Sequence, residues 1–186
     1  MNSPSQPSKL RSRLILLLIV AMFFSSFGIA AWLRFTGWMP AHTRNLGDLL
    51  QPPIALADLD VRQANGQAYA WLPDRNRWHV LVAPSADCRE ACDALFDRLH
   101  RLWLSEGQKA SRLDVLWFGP LPADAQLFAG LQALPANPAL VSRLPEPARG
   151  ESVPAYLVDP DGFVVLHYRA GFDIADVRKD LTHLLK

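Results

Sequence analysis

From Leu14 to Leu33 the chain runs without a charged residue, and about 20 apolar positions suffice to cross a hydrocarbon core of roughly 30 Å. Beyond it, residues 34–55 have no sustained period and carry Gly37, Pro40, Gly47 and Pro52-Pro53, which predicts a linker. Leu56 to Val61 alternates apolar and polar, Asn65-Gly66 is a hairpin-turn signal, and Ala68 to Leu72 returns as a second strand. Pro73 to Arg77 reads as a polar turn. Trp78 to Ala83 is then almost continuously apolar, as expected of a strand covered on both faces. Ala94, Leu95, Leu99, Leu102 and Trp103 fall on one stripe of a helix, with Arg98 and Arg101 on the other side. Leu113 to Phe118 is a second apolar run, so a parallel strand–helix–strand crossover of right-handed sense is predicted.

The remainder reads as alternating short elements. Ala123 to Leu134 predicts a short helix between prolines, and Pro135 to Gly150 a long surface connection in which Ala139 to Leu144 suits a helical turn. Pro154 opens the strand Ala155 to Val158, Asp159-Pro160-Asp161-Gly162 forms a turn, and Phe163 to Tyr168 returns. Asp173 caps a closing helix whose Ile174, Val177, Leu181, Leu184 and Leu185 share a face. The order is that of an α/β domain with a mixed sheet flanked by helices.

Charge turns this pattern into a topology. The first thirteen residues carry Lys9, Arg11 and Arg13 and no acids, which places the N-terminus inside and exports the rest of the chain. Trp32 and Trp38 suit the far membrane–water interface. Gly28-Ile29-Ala30 resembles a cleavage site, but the apolar run exceeds the 7–15 residues of a signal core, so an uncleaved anchor is expected. The division is then a cytoplasmic tail over 1–13, a transmembrane anchor over 14–33 in the lipid bilayer, a linker over 34–55 and one domain over 56–186. A net charge of +1 and a pI near 7.9 offer no basic patch for nucleic acid.

The chemistry centres on two cysteines, Cys88 and Cys92, four apart at the start of the amphipathic helix. Helical spacing sets their Cα atoms roughly 6 Å apart, a separation that serves a disulfide or a two-thiolate metal site. Three uses stay open: a structural bridge, thiol–disulfide exchange with Cys88 attacking and Cys92 resolving, and a soft-metal site. For the metal, His167 is the third-ligand candidate; His79 reads as a strand residue, and His42, His100 and His183 as linker or helix surface. Glycine-rich phosphate loops, His-Glu-x-x-His and nucleophile elbows are absent from the sequence.

The cysteines between the first core strand and its helix, with a proline entering a late antiparallel hairpin, resemble the thioredoxin fold. In that family the late proline is cis and lies against the cysteine pair, so the resemblance implies a cis Val153–Pro154 bond and a site role for Pro154. Within the thioredoxin-like proteins the chain is similar to the Sco/SenC family of membrane-anchored copper-binding proteins that assist cytochrome c oxidase assembly. The likeness rests on the single N-terminal anchor, the Cys88-x-x-x-Cys92 spacing, and Tyr156-Leu157-Val158-Asp159-Pro160-Asp161-Gly162-Phe163, and it covers roughly residues 56–186. It implies a bacterial inner-membrane protein with a periplasmic domain, copper as the cofactor, and a respiratory oxidase subunit or another exported thiol protein as partner. A membrane-tethered thiol-disulfide oxidoreductase and a non-catalytic assembly scaffold are the alternatives. The chain departs from the family in two places: Asp93 follows Cys92 where a proline is usual, and Glu151 stands where the copper-ligating histidine belongs.

Overall fold

The structure, a computed structural model, describes residues 9–36, 45–63, 65–69, 71 and 77–185. The chain divides into two compact units, Met1–Thr43 and Arg44–Lys186. In the first, α1 (Lys9–Thr36) includes a 24-residue stretch, Arg13–Thr36, of mean hydropathy 2.6 that is long and apolar enough to cross a membrane. At 1.5 Å per residue it spans roughly 36 Å. Its hydroxyls turn inward on the helix itself: Ser25 donates to the Met22 carbonyl, Ser26 to Phe23 and Thr36 to Trp32. That leaves the surface apolar, as a lipid environment requires. Trp38, His42 and most of the polar turn over 73–77 lie outside the described residues.

The second unit is built on a sheet that has six strands among the described residues: β1 (Asp48–Ala55), β2 (Trp78–Val82), β3 (Leu113–Phe118), β4 (Leu131–Leu134), β5 (Ala155–Val158) and β6 (Phe163–Tyr168). Their order is β1-β6-β5-β2-β3-β4. β2, β3 and β4 run parallel, while β5 and β1 pair antiparallel to their neighbours. The central strands are buried except for the half-buried Trp78, which is why β2 and β3 read as almost continuous apolar runs, broken only by His79 and Asp114, rather than as alternation. Helices α2 (Glu90–Ser105) and α4 (Ile174–Leu184) cover one face, where Leu95, Phe96, Leu99 and Leu102 meet Val177 and Leu181 over Val80, Val115, Trp117 and Leu157. The other face is closed by Leu56, Val61, Trp71 and α3 (Pro138–Arg143), packed on Leu81, Leu116, Tyr156 and Val164. Each fully buried aliphatic side chain contributes about 1.5–3 kcal/mol of transfer free energy.

Three expectations change. Residues 48–55, read as the end of the linker, form β1 on β6, because the buried carboxylate of Asp180 accepts the backbone N–H groups of Leu46 and Gly47 at 3.0 Å and the Tyr168 hydroxyl at 2.8 Å. That anchor against α4 holds the segment beside the sheet edge. Among the described residues the N-terminal hairpin is narrow: it turns at Asn65-Gly66, with a bridge from Arg62 to Ala68, the Tyr69 N–H donating to Val61 O at 2.7 Å and the Gln63 N–H to Gln67 O at 2.8 Å, while Leu56, Val61 and Trp71 go into the core. Residues 123–134 do not form a helix. Leu131–Leu134 is β4, because the open edge of β3 offers backbone partners: Val115 N–H to Gly130 O at 2.7 Å and Gly119 N–H to Leu134 O at 2.9 Å.

Candidate active site

The cysteines sit where β2 ends and α2 begins, outside the carboxyl ends of the parallel strands. β2 is fixed on both sides, so the turn that follows it leaves the sheet at a defined point and delivers Cys88 two residues before the helix. Cys92 lies in the first turn. The two are joined in a disulfide with Cα atoms 5.8 Å apart. They are not equivalent: Cys92 is 5% exposed and belongs to the core cluster with Leu95 and Val153, whereas Cys88 is half-buried. A cavity of about 260 Å³, lined among others by Cys88, Cys92, Arg89, Pro84 and Leu121, opens on the pair. An incoming sulfur therefore reaches Cys88 first, and Cys92 is the partner held in the core.

The helix start is capped from a distance. Arg89, the N-cap residue, has a donor-only side chain that caps none of the helix amides. Instead Glu151, at the tip of a tight turn bridged by Arg149 and Ser152, receives the Arg89 N–H on Oε1 at 2.9 Å and the Ala91 N–H on Oε2 at 2.8 Å. The same Oε2 is 3.8 Å from Cys88 Sγ. Gly150 makes the turn possible at φ +54°, a left-handed conformation, and the Ser85 hydroxyl donates to its carbonyl at 2.9 Å. A carboxylate at a helix N-terminus satisfies free donors and complements the dipole. The sequence places Glu151 at the position of a missing ligand but not on the helix amides; nothing local in it links residues 62 apart.

Two implied roles need correction. Val153–Pro154 is trans, and the cis bond among the described residues is Gln51–Pro52. Pro154 is buried at the entry to β5, beside the exit of β2 by the Leu81–Tyr156 register, but it is Val153 that joins the cluster holding Cys92, and Glu151 that approaches the sulfur. His167 is not a third ligand. It pairs across from Tyr156, stacks on that ring at 5.1 Å, and brings Nε2 to 3.2 Å from Glu146. Since Leu166 and Tyr168 face the α2 layer, strand alternation sends His167 to the opposite face from the cysteines.

The copper site that the resemblance implies uses both thiolates with an imidazole as third donor. Here the sulfurs are bonded to each other, the nearby acid is a hard ligand engaged with two amides, and His167 lies across the sheet. Among the described residues no group of three or more His, Cys, Asp or Glu is placed to hold a metal. The residues present do not fit that three-ligand copper site.

Against known proteins, residues 78–186 match the family described as transmembrane-like, thioredoxin-like, C-terminal domain. No curated protein matches the chain. Among solved structures, the apo Sco1 protein from Thermus thermophilus aligns at 17% identity and a TM-score of 0.54, over 78% of this chain and 99% of that one. BsSco, described with a disulfide switch and as a member of the Sco family of cytochrome c oxidase assembly proteins, aligns at 14% identity and a TM-score of 0.54, over 75% and 97%. A SCO1/SenC family lipoprotein from Bacillus anthracis str. Ames aligns at 13% and 0.51, over 74% and 99%. At such identities the likeness is one of fold: a mixed, thioredoxin-like α/β sheet, as the element order implied.

Proposed function

The chain belongs to the transmembrane-like, thioredoxin-like family, and we propose that it is a membrane-anchored thiol–disulfide exchange protein acting on cysteines of exported proteins. The observation that carries this reading is the asymmetry of the disulfide at the cavity both sulfurs line: Cys88 is half-buried, while Cys92 is 5% exposed and packed into the core. In the reaction, a thiolate of a dithiol partner attacks Cys88 Sγ, the Cys88–Cys92 bond breaks, and Cys92 leaves with the electron pair and takes a proton. The partner's second thiol then attacks its own sulfur in the mixed disulfide and releases Cys88. One dithiol is oxidised as one disulfide is reduced.

The basic N-terminal flank and the apolar helix support an anchor in a bacterial inner membrane with the sheet domain in the periplasm, where an exposed disulfide persists. The fold shared with Sco-family structures supports one class of substrate, the cysteines of a respiratory oxidase subunit: a dithiol donor reduces the pair by the steps above, and the same steps in reverse pass those electrons to the subunit's disulfide and return Cys88–Cys92 to the disulfide. Copper itself is left to the partner, since this chain brings no third ligand to the two sulfurs among the described residues.

Equilibration of the full-length, detergent-solubilised chain with dithiol redox buffers tests the reading. A pair poised for exchange has a reduction potential above about −300 mV, and a value below that identifies a structural bridge.

A further inference from the structure

Glu151 contributes more than a helix cap. Its carboxylate takes up both Oε1···H–N(Arg89) and Oε2···H–N(Ala91), at 2.9 and 2.8 Å, and stands 3.8 Å from Cys88 Sγ. Those two N–H groups are the donors that a helix N-terminus would otherwise offer to a sulfur anion beside it. The acid is held there by its own turn, through Arg149 N–H to Ser152 O at 3.0 Å, Ser152 N–H to Arg149 O at 2.9 Å, and the Ser85 hydroxyl on Gly150 O.

We infer that Glu151 is a positioning residue that sets the redox balance of the Cys88–Cys92 pair toward the disulfide, by occupying the helix amides and by placing a negative charge against Cys88. This rests on the exchange function proposed for the pair and names the regulator of that same site. In the disulfide, Cys88 Sγ carries no charge and the carboxylate beside it meets no opposition. When the bond is broken by a dithiol and Cys88 is released from the mixed disulfide, its electron pair lands on a sulfur that faces a like charge and finds the amides already engaged. Both effects raise the free energy of the reduced pair and leave the oxidised pair untouched. The other charges at this corner do not reverse the sign: Arg89 lines the cavity, but Asp87, Glu90 and Asp93 surround the same turn. The pair therefore returns readily to the disulfide after each turnover, and anything that draws Glu151 off the amides stabilises the reduced pair.

The test compares wild type with Glu151→Gln in the full-length, detergent-solubilised chain, equilibrated with the same dithiol buffers. Glutamine keeps an oxygen for one amide and removes the charge. The expected result is an equilibrium constant for reduction about tenfold larger, which is about 30 mV for a two-electron couple. Glu151→Ala, which also frees both amides, shifts it at least as far. Urea unfolding of oxidised and reduced forms completes the cycle: the variants destabilise the oxidised form more than the reduced one. A cap with no redox role lowers both equally and leaves the potential unmoved, which would overturn the inference. If neither wild type nor variant exchanges with the buffers at all, it is the exchange function that fails; if both exchange at one potential, only the role of Glu151 fails.

Discussion

His79 is 4% exposed in β2, and neither ring nitrogen has a hydrogen-bond partner among the described residues. Its Nδ1 lies 3.9 Å from Asp114, and Trp71 meets the ring edge-on at 6.3 Å. Burial, followed by the charge of Arg77, pushes its pKa from 6.5 down to about 4. Between those values the unfolded chain binds a proton that the folded chain refuses. Stability therefore rises with pH through this window, and what His79 contributes is lost as pH falls from about 6.5 toward 4, up to about 3 kcal/mol. Urea unfolding at pH 7 and pH 4.5 should show that fall in wild type and a shallower one in His79→Leu; equal falls would contradict the assignment. In the sequence His79 was legible as a strand residue rather than a ligand, because it stands inside an apolar run. Its depressed pKa was not, since the core that desolvates it comes from distant segments.

Among the elements, β4 shows how a local pattern is overridden. Ala125, Phe128 and Leu131 carry a helix-like spacing between prolines, yet Leu127 is left exposed and Phe128 stacks on His100 at 4.6 Å. The strand pairing on β3 also depends on a close approach at Gly130. A Cβ there would come within 2.0 Å of Trp103 Nε1, the atom that donates to the Ala110 and Leu113 carbonyls at 3.1 and 3.0 Å. Gly130→Ala must displace the indole or open the β3–β4 pairing, and about 2 kcal/mol of stability is expected to go with it. Chemical unfolding followed by tryptophan fluorescence measures this; an unchanged midpoint would mean that the indole is free to move aside. By contrast the start of α4 was readable, because Asp173 caps it from one residue before and accepts the Ala175 N–H, whereas α3 was foreshadowed only as a helical turn over Ala139 to Leu144, without its Asn137 cap on the Leu140 N–H. Where a boundary is set by a neighbouring residue, sequence carries the signal. Where it is set by a partner strand or by Asp180, as for β1, it does not.

For the whole molecule, the apolar helix, the buried strands, the cysteine-bearing helix and the late hairpin were all legible, and together they specify a thioredoxin-like sheet. The periods involved are local, so each element declares itself. The candidate site was legible in part. Cys88 and Cys92 fall where spacing put them, but the sheet face that excludes His167, the trans peptide at Pro154 and the reach of Glu151 to the helix amides all depend on long-range packing. The resulting site is a disulfide with one accessible sulfur. The proposed exchange enters through Cys88, and the most direct measurement is mixed-disulfide formation with oxidised glutathione, followed by mass spectrometry on single-cysteine variants of the full-length chain. Cys92→Ser, which keeps Cys88, is predicted to form the adduct about tenfold faster than Cys88→Ser, which keeps only the buried sulfur. Equal rates in the two variants, or no adduct on Cys88, would contradict the account.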